Sequence, residues 1–153
     1  MPPTIPDTHR DLFDQPVHAV LTTLMPDGQP QSSVVWIDQH GGYLLVNTTL
    51  ERQKGRNVCA DPRVTVLVVD PANSSRWIEV RGMVVEVTQV GAEAHADKLT
   101  QRYTGKQHFY GDIYPVEQKH RETRVVVKIE PQKISLDAFF RTPRETAASS
   151  TPI

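Results

Sequence analysis

Arg52, Lys54 and Arg56 occupy alternate positions in the stretch NTTLERQKGRNVCADPRVTVLVV, residues 47–69, of a 153-residue chain whose net charge is only -1. Cations concentrated this way suit an anion. The N-terminus of a helix presents free N–H groups and the positive end of a dipole. A lysine adds a mobile point charge and an arginine a planar fork, a pairing suited to a terminal phosphate. Gly55 would let the backbone approach a ligand closely. At 100° per residue, Arg52 and Lys54 point to different sides of a helix whereas Arg52 and Arg56 share one. Arg52 and Lys54 can therefore meet one ligand only over the first turn. The competing reading is a solvated helix face, with Leu50 and Val58 turned to the core. Charge runs most often end that way, and spacing alone leaves both readings open.

Other chemistry has weaker support. The six histidines show no H-x-x-x-H or H-E-x-x-H spacing, so no metal site is expected. No Ser/His/Asp or paired-carboxylate constellation stands out. Cys59 is the only cysteine, which excludes an intrachain disulfide, agrees with a cytoplasmic location and leaves a small buried hydrophobe as the expected role. A pI near 6.6 argues against a duplex nucleic-acid partner. An oligonucleotide-binding barrel would interleave cations and aromatics on an open face, yet aromatics make up 7% of the chain. No apolar run nears the ~20 residues that span a bilayer, and the N-terminus lacks an export pattern.

The elements that must position the cations are mostly strands. Residues 17–25 alternate and are rich in β-branched side chains. Asp27-Gly28 signals a hairpin, and residues 31–38 return antiparallel. QHGG turns the chain into a third strand at 43–48. Thr48 and Glu51 match a capping box, predicting that a helix begins there; Pro62 should end it by Asp61. Residues 63–69 are almost wholly apolar and read as a central strand. Residues 77–88 form a long strand with Gly82 at a possible bend. Residues 91–105 read as a second helix, residues 106–120 as a short helix and loop, and 122–136 as the last strand. The prediction is mainly β: six antiparallel strands curling into a small barrel, with two to three short helices. The folded unit is placed at residues 8–140, between a flexible start (1–7) and a flexible tail (141–153).

The order DGQPQSSVVWI, then YLLVNTTLERQKGRNVCADPRVTVLVVD, then RWIEVRGMVVEV resembles the split-barrel flavin and deazaflavin oxidoreductases, relatives of pyridoxamine 5'-phosphate oxidase. The likeness covers residues 12–136. Its most specific part is R-x-K-x-x-N-V-x-x-D-P-R-V, carried by Arg52, Lys54, Asn57, Asp61, Pro62, Arg63 and Val64. The pattern is most similar to the branch using the 8-hydroxy-5-deazaflavin coenzyme (F-420); a related branch uses FMN.

This resemblance implies a homodimer of six-stranded split β-barrels with cofactor sites along the interface, passing hydride to a small unsaturated or aromatic acceptor. Arg52 and Lys54 would hold the cofactor phosphate. Gln31, Ser32, Ser33 and Val34 would border the ring. Asn47, Thr48 and Thr49 would lie along the ribityl chain. Asn57 would bond near the phosphate or tie down the helix, and the partner would contribute its Arg76 and Trp77. Trp36 and the run His108, Phe109 and Tyr110 are candidates for a substrate pocket over the ring, with ordinary packing the competing account for each. A protein that binds the cofactor without turnover is also compatible, because no side chain is demonstrably catalytic.

Overall fold

Glycines set the first turns. Gly28, at φ 90°, closes the hairpin between β1 (Ala19–Leu24) and β2 (Pro30–Val35), where its N–H donates to the Met25 carbonyl. Gly41 and Gly42, at φ 60° and 84°, make the two-residue turn between β3 (Ile37–His40) and β4 (Tyr43–Thr49). Consecutive positive φ values are what a tight hairpin needs to match strand twist. The computed structural model describes residues 1–140; the flexible tail expected at 141–153 lies outside the described residues.

After α2 (Gln53–Ala60) follow β5 (Arg63–Val69), β6 (Trp77–Thr88), α3 (Ala92–Thr104) and β7 (Arg124–Leu136); a short α1 (Asp11–Asp14) precedes β1. The strands form one antiparallel sheet in the order β2-β1-β5-β6-β7-β4-β3. Seven strands replace the expected six because residues 31–38 are not continuous. β2 pairs with β1 as far as Val35, Trp36 leaves the ladder, and β3 pairs with β4 from Ile37. The two outer strands of the sheet are thus chain neighbours joined through one residue, and the sheet curls back on itself as a split barrel.

The Tyr103 hydroxyl fastens that crossing. It donates to the Val17 carbonyl at 2.8 Å and accepts the Ile37 N–H at 3.0 Å, backbone groups the strand switch leaves without ladder partners. Gly82 marks the other bend. A register shift lies between Arg81 and Gly82, and a Cβ there would approach Ile129 Cγ2 to 2.6 Å.

Buried side chains alternate along β1, β5, the first half of β6 and most of β4. Leu21, Leu44, Val66, Ile78, Val80 and Ile129 are all at most 1% exposed; each such burial contributes about 1.5–3 kcal/mol. β5 lies between β1 and β6 as expected, but its outer face is only half-buried. Packing begins ahead of the expected boundary at residue 8: Ile5 is 7% exposed, and Leu12 and Phe13 of α1 close the core. Arg76 and the buried His9–Asp137 pair (3.0 Å) tie this segment down.

The capping box does not form. Thr48 and Thr49 remain in β4, Arg52 is the N-cap residue of α2, and the Glu51 carboxylate instead accepts the Thr123 N–H at 2.6 Å. Strand pairing of Thr48 and Thr49 with Val125 and Arg124 outcompetes a helical turn there. The helix ends at Asp61 before Pro62, as expected. Gly55 packs against the β4 backbone, where a Cβ would collide with the Thr49 carbonyl, so its lack of a side chain serves helix–strand contact. Cys59 is exposed on the outer side of α2, not buried. The irregular segment resolves into a π-type turn at Phe109–Ile113, with Gly111 at φ 114°, and a 3-10 turn at Val116–His120. Among the described residues no helix is long and apolar enough to cross a membrane.

Candidate functional site: a cationic, aromatic cleft

The strand switch, the start of α2, α3 and the π-type turn together enclose a cleft of about 320 Å³. Val34, Val35 and Trp36 supply one wall, Ala96 and Leu99 of α3 another, and Phe109 and Tyr114 a third. Trp36 stacks on Tyr103 with ring centroids 5.3 Å apart and planes 12° from parallel, while Phe109 meets it edge-on at 6.4 Å. Flat apolar walls with few polar groups are suited to a planar ring.

Arg52 and Lys54 both line this cleft. Because Arg52 is the N-cap and not a helical residue, it escapes the 100° divergence that made their convergence difficult. Arg56 does not join them; its guanidinium folds back on the Glu51 carbonyl and on Gln53 Oε1. Among the described residues neither Arg52 nor Lys54 has a carboxylate partner: Arg52 donates to the Tyr114 hydroxyl at 3.1 Å and Lys54 Nζ to Ser33 Oγ at 3.1 Å. Burial, and next the neighbouring Arg52 charge, push the Lys54 ammonium below its ordinary range. Two adjacent cations, one of them half-buried, without a counter-anion form a site whose electrostatics a phosphate would relieve.

The third cation of the wall is already committed. Arg124, 8% exposed, donates Nε to the Tyr110 hydroxyl (3.0 Å), one terminal nitrogen to Asn47 Oδ1 (2.8 Å) and the other to Glu122 (3.0 Å). Its guanidinium also lies 4.2 Å from the Phe109 ring centroid, so it braces the aromatic wall. Asn47 Nδ2 donates to the Ala92 carbonyl and to His95 Nδ1, and His95 Nε2 then donates to Asp38 at 3.0 Å. Lys98 and Arg102 converge on the same carboxylate. Burial works to raise the Asp38 pKa, but the hydrogen bonds from His95, Lys98 and Arg102 outweigh it and hold the carboxyl well below its ordinary range. Asp38 on β3 thereby anchors one stripe of α3, which fixes the cleft's helical wall.

The expected site residues divide accordingly. Val34, Trp36, Asn47, Arg52 and Lys54 line the cleft, and Ser33 touches it through Lys54. Gln31 and Ser32 lie further along β2, bonded to Thr23 and Thr22. Thr48 and Thr49 do not reach the cleft: both are buried, and neither hydroxyl has a partner among the described residues. Asn57 is also buried and holds α2 to β1 through Thr23 Oγ1 at 3.0 Å. His108 is exposed outside the cleft, and Tyr110 sits behind the wall with its hydroxyl on Glu122 and Arg124. Of that run only Phe109 faces the cleft, joined by Tyr114, because the π-type turn and Gly111 break any simple periodicity. Arg76 is bound within its own chain by Asp11, Asp70 and the Thr8 carbonyl, and Trp77 opens β6 with its N–H on Asp137. Sequence reasoning missed His18, Val35, Ala96, Leu99, Tyr114 and Arg124. The one available signal was Arg124, a cation at the head of an apolar strand.

A comparison with curated protein sequences yields no match. Solved structures are more informative. The chain is similar to a structure named F420 Reductase, with 32% identity and a TM-score of 0.73 over 86% of this chain and 98% of that one. A conserved hypothetical protein from Mycobacterium tuberculosis is 24% identical, with a TM-score of 0.65 over 87% of this chain and 84% of that one. General Stress Protein 26 from Bacillus anthracis shares the fold at 19% identity, with a TM-score of 0.58 over 84% of this chain and 89% of that one. The sequence pattern of the family described as Pyridoxamine 5'-phosphate oxidase runs through residues 5–136, from the segment that closes the core to the end of β7. With its curled antiparallel sheet and the cleft at its strand switch, the chain belongs to the pyridoxamine 5'-phosphate oxidase family.

Proposed function

We propose that the protein is an oxidoreductase that binds the deazaflavin coenzyme F-420 in the cleft and passes hydride between it and a small unsaturated or aromatic acceptor. The observation that carries this reading is the convergence of Arg52 and Lys54, without a carboxylate between them, at one end of an aromatic cleft. Deazaflavin is favoured over FMN by the 32% identity to the structure named F420 Reductase. FMN, with the same ring-and-phosphate plan, is the second reading, supported by the family itself.

The residues present fit such a group. Arg52 and Lys54 would hold its phosphate, with Arg52 exchanging the Tyr114 hydroxyl for a stronger, charge-assisted bond. Val34, Trp36 and Leu99 would flank the ring and exclude water from one side. Ser33 would steer the Lys54 ammonium, and Arg124 with Asn47 would keep the Phe109 wall rigid. When bound, the coenzyme supplies the hydride chemistry, and the protein's part is binding, orientation and electrostatics.

A second copy of the chain is the proposed partner. Val34 (64% exposed), Val85 (51%) and Phe139 (89%) are apolar side chains left open on the barrel's outside, the kind of surface that subunit contact covers. With Arg76 engaged in its own chain, Trp77 is the stronger candidate for reaching a neighbouring cleft.

Titration of the purified protein with oxidised deazaflavin and with FMN, followed by stopped-flow oxidation of the bound reduced form by a panel of acceptors, tests this reading. Deazaflavin binding with acceptor-dependent oxidation is the expected result. Tight FMN binding with no deazaflavin binding would overturn the cofactor assignment, and oxidation indifferent to every acceptor would indicate a storage protein.

A further inference from the structure

His18 stands just ahead of β1, exposed on the cleft wall, and no other side chain there is a histidine. Its ring meets Tyr103 edge-on at 5.5 Å, and among the described residues neither ring nitrogen has a hydrogen-bond partner. The other proton-bearing groups of the cleft are less suited to giving a proton away. A guanidinium does not give up a proton in proteins, and Arg124 has its donors on Tyr110, Asn47 and Glu122. Lys54 points to Ser33 and, on the reading above, to phosphate. The Tyr103 hydroxyl is saturated by Val17 and Ile37. The Tyr114 hydroxyl accepts from Arg52, and a phenol is a far weaker acid than an imidazolium near neutral pH.

We propose that His18 is the proton donor of the reaction, an inference that rests on the reading of the cleft as a deazaflavin site. Reduction of a polarised double bond adds a hydride at one end and a proton at the other. The hydride, from the reduced deazaflavin, forms a new C–H bond as the π bond opens. The electron pair moves to the far atom, which takes the proton from a His18 ring nitrogen. The acceptor gains two electrons, the deazaflavin loses two, and His18 recovers its proton from the solvent to which it is open. The charged and titratable groups that share its cleft are Tyr103 from α3, Lys54 from α2, Arg52 ahead of α2, Tyr114 from the turn and Arg124 from β7. All are cations or phenols, so the acceptor's developing negative charge is met from several sides.

Two measurements test this. In the protein without cofactor, carbethoxylation of His18 by diethyl pyrocarbonate, followed by mass spectrometry, should slow several-fold when oxidised deazaflavin is added. His18→Gln should bind oxidised deazaflavin with a Kd within about twofold of wild type, yet lose about 10²-fold in kcat, the usual share of general-acid catalysis. Its kcat should also lose the fall toward high pH, and added imidazole should restore part of the rate. Unchanged kcat and pH profile in His18→Gln would overturn the proposal, as would loss of that pH dependence in Tyr114→Phe instead. Failure of the wild-type protein to bind deazaflavin would overturn the cofactor reading and this inference together, whereas binding with an unaffected His18→Gln would overturn this inference alone.

Discussion

Replacing Lys54 with methionine should move affinity and stability in opposite directions. Lys54 is half-buried beside Arg52 with a serine hydroxyl as its hydrogen-bond partner. Both burial and the arginine disfavour its charge, as the lowered pKa records. Methionine keeps most of the stem's packing and removes that charge. Because a half-buried amine is still partly screened by solvent, the gain in the ligand-free protein should be small, about 0–0.5 kcal/mol. Ligand binding should suffer far more. A charge-assisted bond to phosphate contributes about 1.5–3 kcal/mol, so Kd for oxidised deazaflavin should rise roughly 10- to 150-fold at 1.4 kcal/mol per decade. Fluorescence titration gives the first quantity and urea unfolding the second. A Kd within about twofold of wild type would restore the solvated-face account of the cations. A loss of more than about 1 kcal/mol in stability would show that Lys54 is structural.

Other consequences follow from the same geometry. Tyr103→Phe leaves the Val17 carbonyl and the Ile37 N–H without their shared partner and should cost about 1–3 kcal/mol in urea unfolding, while loosening Trp36. Gly55→Ala forces a Cβ into the Thr49 carbonyl; a loss of about 1–3 kcal/mol or more is expected, read as a lower Tm. Asp38 has a folded pKa held below its unfolded value, so its contribution is complete above about pH 4 and is lost as pH falls toward the folded value. Asp38→Asn should remove that acid-dependent limb from the stability–pH curve and cost about 3–5 kcal/mol at pH 7, because Lys98 and Arg102 lose their counter-charge and His95 its carboxylate acceptor. Thr48→Val replaces a buried hydroxyl that has no partner among the described residues and should leave stability unchanged or raise it by about 1 kcal/mol.

Much of the fold was legible because local chemistry and tertiary structure agree. Asp27-Gly28, Gly41-Gly42 and Pro62 mark turns and a helix end that side chains alone could specify, and the structure puts them where expected. Failures came where long-range pairing overrode a local signal. Thr48 and Glu51 have the capping-box spacing, but the β7 ladder holds Thr48 in a strand and the Thr123 N–H takes the Glu51 carboxylate. Trp36 looked like one more strand residue, since only the curl of the sheet makes it the point where one edge hands over to the other. At the site, Arg52 and Lys54 were visible as a charge pattern, whereas His18 and Tyr114 were not. The latter are separated from the cations by tens of residues and reach the cleft through an irregular turn and a strand end, neither of which has a periodicity to read.

The central claim is that an anionic, ring-bearing cofactor lies in this cleft with its phosphate on Arg52 and Lys54. A crystal structure of the protein with oxidised deazaflavin tests it most directly. The account predicts phosphate oxygens within hydrogen-bonding distance of Lys54 Nζ and the Arg52 guanidinium, with the ring against Val34 and Trp36. A coenzyme bound elsewhere, or a cleft occupied by the protein's own chain while Arg52 stays on Tyr114, would contradict it.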